Sequence, residues 1–283
     1  MLQVIAENKY NEQINLTQNS NYALLSVGGL TPPTATINTA VIATSDGAVF
    51  NSSRLGTRNI ILKIAPLNSI ETNRINIYKY FKAKQYIKLY LENNTRSVWI
   101  DGYIEHIEGD LYTEKQQLQI SIICPDPYFK DTTTGLYTFS NIINLFSFPF
   151  AIEETPGIPI SQLGEFVEIA ITNNSDDETG VLITMLANAA VTNPTIYNMT
   201  TNEHFTLDIE LEAGDEITID TRRGHKTVTL NHEGTTTNIL NNMVQGSSWL
   251  TLVVGDNIFS YTCSTGAEYL NISVELQPIY EGV

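Results

Sequence analysis

The chain has 283 residues, 15 Lys and Arg against 31 Asp and Glu, and a formal net charge of −16 at pH 7. That length fits about two domains of about 150 residues each, both able to bury a real core, and a 42% hydrophobic content speaks against a disordered chain. Residues 1–133 hold 12 Lys/Arg and 12 Asp/Glu while 134–283 hold 3 and 19, so the second half carries the whole excess charge and is unsuited to gripping nucleic-acid phosphates or an anionic membrane.

The opening MLQVIAENKYNEQ has no basic start and no sustained apolar core, so no secretory signal is expected there. Short apolar or alternating runs follow, at Tyr22 to Val27, Ile37 to Ile42 and Asn59 to Ile64, separated by Gly, Asn, Asp and Pro clusters, and they read as strands. One helix interrupts them. Pro66 ends a strand, Ser69 is placed to cap, and Glu71 sits in the first turn, where a negative charge suits the helix dipole. Ile70, Ile77, Tyr78 and Phe81 recur at i, i+7, i+8 and i+11, which predicts one apolar face packed on the sheet.

After a further strand at Ile87 to Leu91 comes SVWIDGYIEHIEGDLYTEKQQLQISIICPDPYFKD, residues 97–131. Val98, Ile100 and Ile104 share one face and Trp99, Asp101, Tyr103 and Glu105 the other. In the second arm Leu118, Ile120, Ile122 and Cys124 alternate with Gln117, Gln119 and Ser121, again with period two. Pro125 and Pro127 supply no ladder donor and end that strand, so Tyr128 and Phe129 are expected to leave the sheet together.

A domain boundary is expected here, giving domains at 1–133 and 134–283 with a linker region at about 140–164, where the pattern dissolves into SFPFAIEETPGIPISQLG. The apolar stretch from Ile142 to Ile152 contains Pro149 and falls short of the about 20 residues of a membrane span. A second β module follows. Val167, Ile169 and Ile171 alternate with Glu168, Ala170 and Thr172, and runs at Val181 to Leu186, Phe205 to Leu207, Ile217 to Ile219, Val228 to Leu230, Leu250 to Val253 and Leu270 to Val274 recur at sandwich spacing. Gly224 after Arg222 and Arg223 marks a hairpin turn.

Residues that would carry chemistry are sparse. Cys124 and Cys263 lie far apart in β-type runs and behave as small apolar side chains of a protein assembled in a reducing cytoplasm. His106, His204, His225 and His232 offer no pair at metal-ligating spacing, and no P-loop or Gly-x-Ser-x-Gly elbow occurs. Asp176, Asp177 and Glu178 lack the oxygen-ligand spacing of a calcium loop and read as an exposed turn. No catalytic, metal or cofactor site is therefore assigned, and no enzyme activity is expected.

The ISIICPDPYF segment resembles the closing segment of the N-terminal domain of siphophage distal tail proteins, the family that forms the hub at the tip of a long non-contractile tail. DGAVFNSSRLGTRNIILKI (Asp46 to Ile64) and ETNRINIYKYF (Glu71 to Phe81) are similar to that family's paired strands and single helix. NNSDDETGVLITM, GDEITIDTRRGHKTVTL and SSWLTLVVGDNIFSY look like its C-terminal domain. The resemblance implies a mainly β chain: an N-terminal split β-barrel of tail-tube type with one helix, then a C-terminal galectin-like β-sandwich. It also implies a homohexameric ring, single or paired back to back, that passes DNA through its lumen without inserting into a membrane. Its partners would be the tail tube protein, a tail-associated tip protein and a receptor-binding protein, in a virion tail tip assembled in the bacterial host cytoplasm. A different role is a carbohydrate-binding adhesin, in which Trp249, Tyr261 and Tyr269 stack on a sugar. No position matches a galectin sugar-binding motif, and Trp249, between Ser248 and Leu250 in an apolar strand, is expected to be buried. A wall-degrading hydrolase is the third and weakest alternative, since abundant carboxylates alone do not make a catalytic pair.

Overall fold

The computed structural model describes residues 2–44, 46–110, 112–113, 115–140, 142–144, 161–163 and 168–283. Two compact units result. The first contains Met1–Thr132 together with Ile279–Val283, and the second Thr133–Pro278. The last five residues, expected with the second domain, thus fold into the first. Most of the linker expected at about 140–164 lies outside the described residues.

The first unit opens with β1 (Gln3–Asn8), β2 (Gln13–Asn15), β3 (Tyr22–Gly28), β4 (Ala35–Val41), β5 (Ala48–Leu55) and β6 (Arg58–Pro66). It continues through α1 (Ile70–Tyr80), β7 (Tyr86–Glu92), β8 (Ser97–Gly109), β9 (Leu118–Cys124) and β10 (Phe129–Asp131). One antiparallel sheet runs β2-β1-β7-β8-β9-β6-β3, leaving β2 and β3 as the two ends of the strand path. Its alternation places Ile60, Leu62, Ile64, Leu89, Ile100, Ile104, Ile120 and Ile122 on a single buried face. Trp99, Asp101 and Tyr103 project from the other face, as the sequence predicts. Gly102 sits where strands crowd, since a Cβ there would lie 2.6 Å from the Ile123 carbonyl oxygen.

Helix α1 lies over that core through Ile77 and Phe81, both 0% exposed. Tyr78 does not belong to the face. It is 37% exposed, because at about 100° per residue it sits well round from Ile77, and Asn73 takes the place in the buried stripe instead. Asn73 is tolerated there because its Nδ2 donates to the Leu67 carbonyl at 2.7 Å, closing the turn before the helix. Ser69 is the N-cap residue by position, but its side chain makes no capping bond.

The strand after the prolines also departs from expectation. Phe129 does not leave the sheet: β10 rejoins it, with Lys130 opposite Trp99 and Asp131 opposite Val98. This is possible because β8, at 13 residues, extends beyond its overlap with β9 and leaves the Val98–Trp99 end free to accept a new neighbour.

The second unit contains β11 (Gly135–Ser140), β12 (Ile142–Asn144), β13 (Ser161–Leu163), β14 (Glu168–Asn173), β15 (Thr179–Gly180), β16 (Leu182–Ala187) and β17 (Val191–Thr192). It continues with β18 (Thr195–Asn198), β19 (Glu203–Thr206), β20 (Glu210–Leu211), β21 (Glu216–Asp220), β22 (Thr227–His232) and β23 (Thr235–Asn238). Last come β24 (Thr251–Leu252), β25 (Gly255–Thr262) and β26 (Leu270–Leu276). A six-stranded sheet, β11-β26-β16-β21-β22-β23, and a four-stranded sheet, β14-β25-β18-β19, contribute to one core. Ile183, Ile217 and Ile272 come from the first sheet and Ile171, Phe205 and Phe259 from the second, which makes the unit a β-sandwich. The hairpin expected at Gly224 forms between β21 and β22, with Gly224 at φ +78°. The described residues are mainly β with one α-helix, and their final strand, β27 (Ile279–Tyr280), pairs with β10 in the first unit.

Candidate functional site: an exposed hairpin and its buried root

The proposed sugar-stacking aromatics occupy three different environments. Tyr261 is 3% exposed, its hydroxyl reaches the Leu270 and Ala267 carbonyl oxygens at 3.1 and 3.2 Å, and its ring packs on Phe139 at 5.6 Å. It is a core residue with no free face, so it is removed from the candidate set. Trp249 is partly buried against the core, its ring 5.5 Å from Phe205 and Lys226 Nζ 5.5 Å from its centroid. Tyr269, on a single 3-10 turn, is 45% exposed. A cleft of about 750 Å³ in this unit is lined by Phe139, Glu168, Thr184, Glu216 and Asn271 among others, and by none of the three.

Reactive groups are similarly unpromising. Among the described residues no cluster of three or more His, Cys, Asp or Glu could hold a metal ion. Burial pushes the Cys124 and Cys263 thiols up to about 12, so neither is a thiolate nucleophile at neutral pH. In the turn at Asp176–Glu178, the Asp177 carboxylate accepts from the Glu178 backbone N–H at 2.8 Å. Among the described residues no helix is long and apolar enough to cross a membrane.

What stands out is a ribbon. Among the described residues, strands β4 and β5, of 7 and 8 residues, pair only with each other, and every residue of the two except Leu55 is exposed. Ile37, Val41, Val49 and Phe50 are 63, 80, 51 and 61% exposed on this two-stranded arm. The run Ile37 to Ile42 marks β4 in the sequence, and β5 falls in the segment Asp46 to Ile64 that enters only by resemblance; neither reading shows their isolation, because apolar alternation predicts a buried face wherever the partner sheet happens to be.

The ribbon springs from a rigid root. Arg58, the first residue of β6, is 3% exposed and carries its guanidinium into a cage of main-chain oxygens. Nε donates to the Pro127 carbonyl at 2.6 Å, Nη1 to Gly29 and Thr31 at 2.5 and 2.8 Å, and Nη2 to Glu281 at 2.6 Å. The Phe129 ring lies under it, 4.5 Å from Cζ. Burial lowers the Arg58 pKa from its ordinary value, and the nearby Cys124 and Glu281 oppose that shift. Four charge-assisted bonds replace the lost water, which is why a buried arginine is sustainable here. Gly29 is obligatory at this root: it sits at φ +84°, and a Cβ would lie 2.2 Å from the Asn59 carbonyl oxygen.

The sheet face opposite the core of the first unit carries Trp99 with two lysines beside it. Lys88 Nζ and Lys130 Nζ lie 3.8 and 4.7 Å from the Trp99 ring centroid, and Lys130 is held by Asp126 and Asp101 at 3.2 and 3.3 Å. Edge strand β3 carries no charge and no proline, and Leu25 on it is 49% exposed.

Residues 174–275 match the family model for the siphovirus-type tail component, C-terminal domain. No curated protein matches the chain. Among solved structures, the SPP1 Dit protein, described as a paradigm of the hub adsorption apparatus in phages infecting Gram-positive bacteria, superposes with a TM-score of 0.67 at 10% identity, over 98% of this chain and 99% of that one. A chain of the activated phage P2 baseplate with calcium gives a TM-score of 0.50 at 11% identity, over 97% of this chain and 98% of that one. The same baseplate with strontium gives 0.50 at 11% identity, over 98% of each chain. Residues 174–275 thus match the siphovirus-type tail component, C-terminal domain, and the chain shares the fold of the SPP1 Dit protein over nearly its whole length, in agreement with the resemblance read from its sequence.

Proposed function

We propose that this protein is a structural hub subunit of a phage tail tip, and that copies of it close a ring of six. The observation that carries this is the β4–β5 ribbon. A lone two-stranded hairpin is marginal in water, and one exposing Ile37, Val41, Val49 and Phe50 together is an arm awaiting a partner. The uncharged edge of β3 adds a template for strand pairing, which closed rings remove. The occupant we assign is a second copy, since ribbon and open edge are then complementary needs of one chain. The likeness to SPP1 Dit, a hub of an adsorption apparatus, supports the same conclusion.

Charge agrees with a division of labour. With Glu281 counted where it folds, the first unit holds 12 Lys/Arg and 13 Asp/Glu, and residues 133–278 hold 3 and 18. Six near-neutral units can crowd round an axis. Six units of about −15 would repel unless spaced beyond the Debye length of about 8 Å at physiological salt, so we assign the acidic sandwich to the outside. There it would meet receptor-binding or other baseplate proteins, while the ring faces meet the tail tube and the tip protein and the lumen passes DNA. The glycan-binding alternative loses Tyr261 as a contact and gains no built site.

Native mass spectrometry and negative-stain micrographs of the intact chain test the proposal. Hexameric rings are expected, and the exposed-arm substitution Phe50→Ser should weaken them without altering the fold. A strictly monomeric population at every accessible concentration overturns it.

A further inference from the structure

The root of the ribbon is completed by residues that follow the entire second unit in sequence. Pro278 ends that unit, and Ile279–Val283 return to the first. Phe129 pairs with Tyr280 and Lys130 with Ile279, so the strand leaving the first unit and the strand re-entering it lie side by side. Tyr280 is fixed twice: its hydroxyl donates to Asp131 Oδ2 at 2.9 Å, and Arg96 Cζ stands 4.2 Å from its ring centroid. Arg96 Nη1 also donates to the Gly282 carbonyl at 2.5 Å.

Three contacts then tie this segment to the stretch between β3 and β4. The Val283 N–H donates to the Leu30 carbonyl at 3.1 Å. The position a Cβ of Gly282 would take lies 3.2 Å from the Leu30 oxygen and 3.4 Å from Pro32 Cδ, so the returning segment runs close beside the root, with little room for a side chain at that position. The Glu281 carbonyl shares the Arg58 guanidinium with Gly29 and Thr31. Arg58 therefore holds three separate stretches at one point: the ascending root of the ribbon, the Pro127 bend and the returning segment.

The geometry points to a clasp: residues 279–283, gripped by Arg96 and Arg58, fix the root of the β4–β5 ribbon and so set the direction in which it projects toward a second copy. The part concerning a second copy rests on the hub proposal; the part concerning the root does not. A ribbon that pairs only with itself takes its orientation from its two ends. One end is held at Gly29–Thr31 by Arg58, and the other is held by Arg58 being the first residue of β6, two positions beyond Gly56. Without the Glu281 oxygen and the Val283 N–H, one side of that anchor faces solvent. Because the clasp residues follow the whole second unit in sequence, the ribbon gains its fixed direction only after the second unit has been made.

Two variants of the full chain test this. One lacks residues 281–283, and the other, Arg96→Ala, keeps the whole segment but loses its outer grip. Peptide-resolved hydrogen exchange should rise at least tenfold over residues 29–57 in both, with peptides from 168–278 unchanged. Unchanged exchange over 29–57 in either variant overturns the clasp; if the deletion unfolds the first unit, Arg96→Ala decides alone. Native mass spectrometry of the same samples should show self-association weakened at least tenfold, and full-strength association with a loosened root overturns the link between clasp and ring. If the intact chain does not associate at all, the ring proposal falls, and the exchange result still decides the clasp.

Discussion

Replacing Arg58 with methionine isolates the energetics of the root. The thioether fills most of the space over Phe129 but donates nothing, leaving the carbonyls of Pro127, Gly29, Thr31 and Glu281 without their shared donor. The Pro127 carbonyl is the buried acceptor, and orphaning it costs about 1–3 kcal/mol; water can replace the donor at the exposed Gly29 and Thr31, and the stacking on Phe129 at 4.5 Å contributes up to about 2 kcal/mol more where it is desolvated. Against this stands the relief of burying a cation, visible in the lowered Arg58 pKa. That relief cancels part of the loss and brings the expected net destabilisation to about 1–3 kcal/mol, since the substitution leaves neutral carbonyls and no buried charge behind. Urea unfolding followed by a probe in the first unit should show a midpoint shift without a large change in slope, while the sandwich transition stays in place. Arg58→Lys should recover only part of the loss, because an ammonium cannot span four oxygens in a planar fork. A cost below about 1 kcal/mol for Arg58→Met would refute the argument, since the cage would then be solvated in solution.

Ile77→Asp should destabilise the first unit by about 3 kcal/mol or more through an unpaired buried charge, whereas Tyr78→Ala, at a position 37% exposed, should cost less than about 1 kcal/mol; comparable thermal shifts for the two would disprove the helix orientation. Tyr261→Phe should destabilise the sandwich by about 1–2 kcal/mol, by leaving the Leu270 and Ala267 carbonyls without their hydroxyl donor, and a glycan array should be indifferent to it. The hydrogen bond and charge of Asp215 raise the His232 pKa, with Glu233 and Glu212 adding to the effect. A raised folded-state value gives stability that is complete below the unfolded pKa of about 6.5 and is lost as pH rises through the folded one. The melting temperature of the second unit should therefore decline over that window in the wild type and less so in His232→Gln; parallel pH profiles would show the pair contributes nothing.

Much of the architecture is legible in the sequence, and the failures have physical causes. Residues 97–124 read correctly because one face of each strand is apolar throughout and the other is not. Strand β25 is harder, because its core-facing position Asn257 is polar while Ile258 is 41% exposed, reversing the expected code. Asn257 can be 0% exposed because its side chain bonds the main chain of Val253 and Gly255. Strand β23, TTTN, is exposed at all four positions and offers no periodicity. Tyr78 is misplaced because i+8 satisfies a helical template only loosely, and the polar Asn73 that replaces it is invisible to a search for apolar residues. Tyr261 and Tyr269 are indistinguishable as letters; only the neighbouring Phe139 and Leu270 make one of them core.

The sequence segment most indicative of family, Cys124 to Phe129, turns out to build a joint, and this explains why it carries no chemistry. Pro125 and Pro127 end β9 and turn the chain, so that the Pro127 carbonyl faces Arg58 Nε at 2.6 Å. Phe129, two residues on, is placed both beneath the guanidinium and opposite Tyr280 in the ladder. One short motif thus ends a strand, supplies an acceptor, supplies a stacking face and starts the strand that receives the returning chain. Ending the strand is local to the prolines, but the acceptor and the stacking face need Arg58 and the receiving strand needs residues 279–283, which lie 69 and about 150 positions away. The motif by itself could only be recognised, not interpreted. Its physical meaning is that the first unit closes around three distant pieces of chain at one cation, and the arm we propose for assembly grows from the point that this buried charge holds.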